Sequence, residues 1–273
     1  LLWNNSKFSS ERKEITKKVN QFIKKWRGRK DYLENPKVLA EALEEYEKVL
    51  RFWWPENNEG YYFWLKAELD QTNSQIKAKL NDADDFAIKL INELQFFTLK
   101  IAKIEKNDQP KFLKAKELLP YKHFLEKLFA ESNHLLSEKE EKILNLKNQV
   151  AFGNWVKMTE EFLTKEEKEI ILNGKKQKLS FSEILSEIKN QDKTNRDNAA
   201  KAFNEILEKY SDLAEIELNS VLQNKKIDDD LRGFNFPESS RLLSDDIEKE
   251  IVDLMIKTVS KNYDISAEVY ELK

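Results

Sequence analysis

The chain has 273 residues, of which 40% are hydrophobic and 36% are charged, with five Gly, five Pro and no Cys. The absence of Cys excludes disulfides and thiolate chemistry, and a net charge of −3 with both signs mixed along the chain gives no general attraction to nucleic acid or to an anionic membrane. A long chain rich in Lys, Glu and Leu with few helix breakers is typical of a mostly α fold.

Neither a membrane span nor a secretory signal is apparent in the sequence. It contains no apolar run of about 18 residues, the length that a membrane-spanning helix needs. Its first residues, LLWNNSKFSS, lack the basic start and apolar stretch of a signal peptide. We therefore expect a cytoplasmic protein without a membrane partner.

Four helices are predicted in the first part of the chain, at about 10–26, 36–53, 60–79 and 86–104. The first of them ends in a basic run, Lys24–Lys30, in which Gly28 occupies a position that often adopts a left-handed conformation. This run either binds phosphate or places cations at the negative end of a helix dipole. The second interpretation is favoured because no phosphate-binding loop accompanies the run.

Seven aromatic residues lie within the corner between the second and third predicted helices, Phe52–Trp64. Aromatic side chains bury large areas, so they can join two helices at a tight corner, and they can also form a wall that binds a ligand. The structural role is favoured, but there are more aromatic residues than a corner needs. Trp53, Trp54 and Tyr61 are therefore kept as candidates for a ligand wall.

The two histidines do not have the spacing of a metal site. His123 and His134 are far apart in the sequence, and neither begins a His-Glu-x-x-His pair. Ser137 and Glu140 form a capping box for a helix that is predicted to bend near Gly153. We expect a helix–helix contact for His123 and a position at a helix entry for His134.

A hairpin is predicted around Asn173-Gly174, because this dipeptide is the strongest short-range signal for a two-residue turn. Its strands are expected at about 169–172 and 177–179, and Ser180 or Ser182 is expected to cap the helix that follows.

One long helix is predicted after the hairpin, from about Asn195 to Leu222, with Ile216 on its buried side, and a loop around Gly233 follows it. These elements predict a mostly α fold: a multi-helix antiparallel body with one short β-hairpin. We expect an N-terminal antiparallel helical subdomain, 1–108, and a second helical region that carries the hairpin, 109–273.

Four segments follow one another in the second half of the chain: YKHFLEKLFAESNHLLSEKEEKIL, NGKKQKLSFSEILSEI, TNRDNAAKAFNEIL and LNSVLQNKKIDDDLRGFNFPESSRLLSDDI. In this order they resemble the N-terminal region of the oligoendopeptidase F family, which are thimet-oligopeptidase-like zinc endopeptidases that cut short peptides. The resemblance runs from about Pro120 to Lys273, and LLWNNSKFSS is similar to the opening segment of that family.

This resemblance implies that the chain is the front portion of a longer metallopeptidase. In the family, zinc is bound by His-Glu-x-x-His on one helix and by a glutamate from a later helix. Because this sequence has no such motif, we expect no catalytic residue, no metal site and no cofactor in this chain, and zinc only in the full-length parent. The last residues, Ala267–Lys273, have the pattern of a helix that is just beginning, so we expect a truncation before the catalytic domain.

In the family, the front portion forms one side of a deep channel that admits short peptides. The resemblance therefore implies a channel wall and lid for this chain. Channel-facing candidates are taken from the non-helical corners: Arg232, Gly233, Phe234, Arg241, Trp53, Trp54 and Tyr61. Each has a structural alternative, because a loop arginine more often binds nearby carbonyl groups at the end of a helix.

Two other interpretations stay open. The chain could be a stand-alone, non-catalytic helical module that binds peptides or a protein, or a nucleic-acid-binding protein that uses Lys24–Lys30. The second is disfavoured by the net charge and by the lack of a basic helical face. If the chain is part of a longer protein, we expect an exposed apolar face, which self-association can cover.

Overall fold

The computed structural model describes residues 5–53, 58–70 and 73–272. Its α-helices are α1 Asn5–Trp26, α2 Pro36–Trp53, α3 Asn58–Leu69, α4 Ser74–Ala102, α5 Gln109–Leu113, α6 Lys122–Glu131, α7 Glu138–Asn148, α8 Asn154–Lys165, α9 Phe181–Glu187, α10 Lys193–Lys209, α11 Ser211–Arg232, α12 Ser239–Asp245, α13 Lys249–Lys261 and α14 Tyr263–Glu271. Strands β1, Glu167–Leu172, and β2, Lys175–Ser180, lie between α8 and α9. The predicted mostly α fold with one hairpin is confirmed over these residues.

The chain divides into two compact units that are interleaved in sequence. The first compact unit takes its described residues from 1–24, 47–94 and 137–225, and the second takes them from 25–46, 95–136 and 226–273. The sequential subdomains 1–108 and 109–273 stay a prediction.

The hairpin is part of the first compact unit, and its antiparallel register pairs Leu172 with Lys175 across the turn. Asn173 and Gly174 both have positive φ, 51° and 74°, which is the geometry of a type I′ turn. The prediction from Asn173-Gly174 is confirmed, because only residues that tolerate a left-handed backbone can close a two-residue turn with this twist.

The hairpin packs against α9 and α10 through a small apolar core. The buried members of this core are Ile170, Leu172, Ile184, Ala199, Ala202 and Ile206. The residues of β1 that face this core alternate with exposed ones, as expected for a strand with one buried face. Ser180 caps α9 in a full capping box with Glu183, which confirms one of the two predicted caps.

The long helix predicted over 195–222 is wrong in one respect, because it is two helices. α10 ends at Lys209, and Tyr210 has φ −109° and ψ 10°, outside the helical region, before α11 begins. Ile216 was expected to be buried but is 55% exposed. Tyr210 is not a helix-breaking residue type, so the sequence carries no signal for this interruption between α10 and α11.

The capping box at α7 and the bend near Gly153 are both present. The Ser137 amide donates to Glu140 Oε2 at 2.8 Å, and the Glu140 amide donates to Ser137 Oγ at 3.4 Å. A π-helical turn at Gln149–Gly153 separates α7 from α8. A π-turn inserts an extra residue per turn, which is a common cause of a bend within a helical run.

The second compact unit has an aromatic core. Trp26, Tyr32, Phe96 and Phe97 are fully buried, and the rings of Trp26 and Tyr32 meet edge to face with centroids 5.8 Å apart. Trp26 donates its indole N–H to Glu45 at 2.8 Å, so its polar atom is satisfied. This core anchors the C-terminal end of α1 and the C-terminal half of α4.

Candidate functional site

The loop predicted from Arg232, Gly233 and Phe234 is the C-terminal cap of α11. The Phe234 amide donates to the Asp229 carbonyl at 2.9 Å, and the Gly233 amide donates to the Asp230 carbonyl at 3.3 Å. Gly233 has φ +70°, the left-handed conformation that this six-to-one bonding pattern requires. The loop geometry is therefore fixed by the helix end.

His134 completes this loop, although it is 98 residues away in sequence from Arg232. Its Nδ1 lies 2.9 Å from the Arg232 carbonyl oxygen, and the Arg232 guanidinium donates to the His134 carbonyl at 3.2 Å. Because a carbonyl oxygen can only accept, Nδ1 carries the hydrogen, which leaves Nε2 as the other ring atom for a ligand or solvent. The His134 and Phe234 rings stack with centroids 3.9 Å apart.

We call His134, Arg232, Gly233 and Phe234 the His134 cluster. The sequence identified three of its four members, and it placed His134 only at a helix entry. His134 indeed ends a short 3-10 helix, Ser132–His134, just before α7. No local pattern could have joined it to α11, because the contact depends on how two distant segments pack.

Arg241 is engaged locally and lies highly exposed. Its Nε pairs with Asp245 one turn later on α12, and its side chain is 77% exposed. An exposed i,i+4 pair of this kind stabilises a helix only slightly and leaves most of the guanidinium donors accessible to solvent.

His123 lies near α12, on the neighbouring α6. Its Nε2 is 2.6 Å from Asp246 Oδ2, and its side chain is 69% exposed. This contact joins α6 to the C-terminal end of α12, which agrees with the helix–helix contact expected for His123.

The aromatic corner is only partly described. Trp54 and the side chain of Trp53 lie outside the described residues. Tyr61 is 61% exposed, and its ring stacks on Trp64 with centroids 5.6 Å apart and an interplanar angle of 29°. This exposed stack belongs to the first compact unit, whereas the His134 cluster and Arg241 belong to the second.

The basic run at the end of α1 makes contacts with its own surroundings. Lys25 lies between Glu41 and Glu45, at 2.8 and 2.6 Å, and Arg29 makes a two-point contact with Asp31 at 2.7 and 2.9 Å. Gly28 does not have the left-handed conformation that was expected, since its φ is not positive. The contacts favour the structural interpretation of these cations.

No group of three or more His, Cys, Asp or Glu within residues 5–53, 58–70 and 73–272 is arranged to hold a metal ion. The residues described therefore do not fit a zinc site. Over the same ranges, no helix combines the length and apolar character that crossing a lipid bilayer requires.

The surface of α13 and α14 is unusually apolar for an exposed helix pair. Leu254, Met255, Ile256 and Val259 on α13 are each more than half exposed. The exposed apolar side chains of α14 are Tyr263, Ile265, Val269 and Tyr270. We call this set the α13–α14 apolar surface. Single exposed apolar residues are normal, whereas eight of them on two consecutive helices are more than a scattered few and are typical of a surface that meets another protein segment.

Comparison of the sequence with known proteins matches part of it to a family model and most of it to two relatives. Residues 100–165 match a family model described as Oligopeptidase F. An oligoendopeptidase F homolog from Borreliella burgdorferi is 26% identical over 99% of this chain and 45% of its own length. The group B oligopeptidase PepB from Streptococcus agalactiae is 22% identical over 73% of this chain and 34% of its own length. The chain thus spans less than half the length of these relatives.

Solved structures share the fold. Oligoendopeptidase-F from Enterococcus faecium superposes with a TM-score of 0.78 at 18% identity, covering 99% of this chain and 53% of that structure. A peptidase described as putative, from Chlamydophila abortus, superposes with a TM-score of 0.63 at 20% identity, covering 98% of this chain and 46% of that structure. At these identities the superpositions establish the fold alone.

Proposed function

Because this chain is a member of the oligoendopeptidase F family and fits its N-terminal region, we propose that it forms the channel wall and lid of a zinc oligoendopeptidase that hydrolyses short peptides. The wall limits access by its shape, so that flexible peptides enter a narrow channel and folded proteins do not. The catalytic zinc and its His-Glu-x-x-His helix belong to a later part of the parent polypeptide. In this proposal the chain contributes no catalytic residue of its own, and the parent acts in the cytoplasm.

The observation that carries this proposal is the α13–α14 apolar surface. Leaving these side chains in water is unfavourable, since burying apolar surface stabilises a protein by about 25 cal/mol for each Å². This chain covers 45% of the Borreliella relative and 53% of the Enterococcus structure, and the further polypeptide of these proteins supports the idea of a partner for such a surface. We propose that the following part of the same polypeptide covers it.

The His134 cluster, Arg241 and the aromatic corner are the candidates for substrate contact. Arg241 offers unused guanidinium donors that suit a peptide carboxylate, and the stacked rings of Tyr61 and Trp64 suit an apolar peptide side chain. These roles rest on exposure and chemistry.

The test begins with the gene. The reading frame is followed past codon 273, and the whole frame is expressed and assayed with quenched fluorogenic peptides and with a folded protein substrate. We expect a His-Glu-x-x-His motif downstream, zinc-dependent cleavage of the short peptides and no cleavage of the folded protein. A stop codon directly after Lys273 would contradict the proposal, and so would an active frame without the motif.

The surface itself is tested in the same full-length protein. Met255→Glu places a charge within the α13–α14 apolar surface, whereas Lys257→Glu places the same side chain two residues later, on the opposite side of the same helix. We expect lower activity and stability for Met255→Glu than for Lys257→Glu. Equal behaviour of the two variants would show that the surface is not covered by the rest of the polypeptide.

A further inference from the structure

One edge of the β-hairpin, that of β1, lies against α10. In a hairpin with a two-residue turn, the residues that flank the turn exchange hydrogen bonds, and alternate pairs beyond them direct their backbone groups outward. By this rule the backbone N–H and C=O groups of Ile171 and Glu169 in β1 point away from the hairpin. The Asn198 side chain donates to the Ile171 carbonyl at 2.9 Å, which confirms the outward direction and occupies one of the four outward backbone groups of β1.

The turn is fixed to the same helix. The Asn173 amide donates to Asn195 Oδ1 at 2.9 Å, and Asn195 Nδ2 donates to Asn173 Oδ1 at 2.9 Å. Asn195 is almost fully buried, so this pair holds the turn in place. The hairpin is therefore a rigid ribbon with its β1 side against α10.

The other edge, on β2, is open. The register places Lys176 opposite Ile171 and Lys178 opposite Glu169, so the N–H and C=O groups of Lys176 and Lys178 point away from the hairpin. Within the described residues, no backbone or side-chain group bonds to these four groups. Residues Lys175–Lys178 are all exposed. The edge thus offers two donors and two acceptors in the spacing of a β-ladder.

The charge of this edge selects what can pair with it. β2 carries Lys175, Lys176 and Lys178 and no acidic residue. Lys176 and Lys178 contact Glu169 and Glu167 of β1, yet their side chains remain 78% and 64% exposed. Lysine on an edge strand opposes pairing with a like-charged edge, such as a second copy of β2, and favours an acidic strand.

We propose that the β2 edge binds an extended acidic peptide by strand addition. The peptide main chain completes the ladder at Lys176 and Lys178, and its Asp or Glu side chains lie opposite the β2 lysines. The occupant is a separate peptide chain and not a second copy of this protein. This site goes beyond the channel-wall function, because it needs only the first compact unit and no catalytic residue.

The experiment uses this chain and a fluorescent eight-residue peptide of alternating Glu and Val. We expect saturable binding by fluorescence anisotropy that weakens as salt is raised. The matched probes are a Lys/Val peptide and a Glu/Val peptide with N-methyl groups at alternate amides on the pairing side. Neither should bind, because the first repels the lysines and the second cannot form the ladder.

Amide hydrogen exchange locates the binding. The amides of Lys176 and Lys178 exchange quickly in the free protein and become protected by about tenfold or more with the Glu/Val peptide. The amides of Lys175 and Gln177 face the other strand and stay protected throughout. The double variant Lys176→Gln/Lys178→Gln binds up to about fivefold more weakly for each lysine removed, whereas Lys257→Gln on α13 binds as the unmodified chain does.

Three results would overturn the proposal: no binding of the Glu/Val peptide, binding without new protection at Lys176 and Lys178, or protection of these amides that depends on protein concentration alone. The last result would identify a second copy as the occupant. None of them affects the channel-wall function, which is tested by peptide cleavage in the full-length protein.

Discussion

The left-handed backbone at Gly233 makes a quantitative prediction about the His134 cluster. A Cβ built on Gly233 meets no atom within 4 Å, so the substitution Gly233→Ala creates no clash. Its cost comes from the backbone alone, since a residue with a Cβ pays about 1–2 kcal/mol in the left-handed region. Alanine also restricts the unfolded chain, which by itself raises the free energy of unfolding by about 0.4–1 kcal/mol.

Gly28 supplies the matched control, because its Cβ would also meet nothing within 4 Å while its φ is not positive. Gly28→Ala should therefore show only the effect on the unfolded chain and raise the free energy of unfolding by about 0.4–1 kcal/mol. Gly233→Ala should lower it by about 1 kcal/mol. The difference between the two variants, about 1–2 kcal/mol, is the left-handed strain.

Urea denaturation followed by circular dichroism measures this difference. The midpoints should move in opposite directions by a few tenths of a molar, given the slopes usual for chains of this size. Gly233→Asn should fall between glycine and alanine, because Asn tolerates the left-handed conformation. If the two alanine variants shift in the same direction by the same amount, Gly233 is not strained and the cap that positions Phe234 against His134 is described incorrectly.

Three more predictions address the capping, the buried hydroxyl and the pH dependence. Ser180→Ala should lower the free energy of unfolding by about 1 kcal/mol through loss of the α9 cap, whereas exposed Ser186→Ala should change it by less than about 0.5 kcal/mol, both measured by urea denaturation. Burial raises the pKa of Tyr32 to about 12, and its hydroxyl has no hydrogen-bond partner among the described residues. Tyr32→Phe should therefore raise the free energy of unfolding by about 1 kcal/mol. A lower free energy of unfolding would show that the hydroxyl is bonded. Hydrogen bonds from Lys209 and then Tyr210 lower the pKa of Glu166, so its stabilising effect is complete above the unfolded-state pKa of about 4.3 and is lost as pH falls through the lower folded-state value. The stability difference between Glu166→Gln and the unmodified chain should therefore shrink below about pH 4, and a difference that does not change with pH would contradict this.

The local elements were largely predictable because their causes lie within a few residues. Asn173-Gly174 predicted the hairpin, since a type I′ turn needs two residues that accept positive φ. Ser137 and Ser180 predicted helix starts, because a capping box is formed by residues three positions apart. The break at Tyr210 was missed because no breaker residue marks it, and packing outside the local sequence decides where α11 begins.

The candidate site shows the same limit more clearly. Sequence indicated Arg232, Gly233 and Phe234 as a loop, and resemblance gave them a possible place along a channel. Only the fold shows that the Arg232 guanidinium donates to the His134 carbonyl and that the Arg232 carbonyl accepts from the His134 ring. It also shows that Phe234 stacks on that ring. The exposed edge of β2 is likewise a property of the assembled ladder, since lysines at alternate positions do not reveal which backbone groups face outward.

The sequence by itself determined the fold class, the hairpin turn and the helix caps at Ser137 and Ser180, because hydrophobic period, left-handed tolerance and side-chain capping act over less than two helical turns. It also determined that a His-Glu-x-x-His motif is missing from these 273 residues. Tertiary structure alone decided which distant groups meet, namely His134 with Arg232, Asn198 with Ile171 and Asn195 with Asn173. Such contacts depend on the relative placement of whole elements, which results from the packing of many side chains and from no single stretch of the sequence.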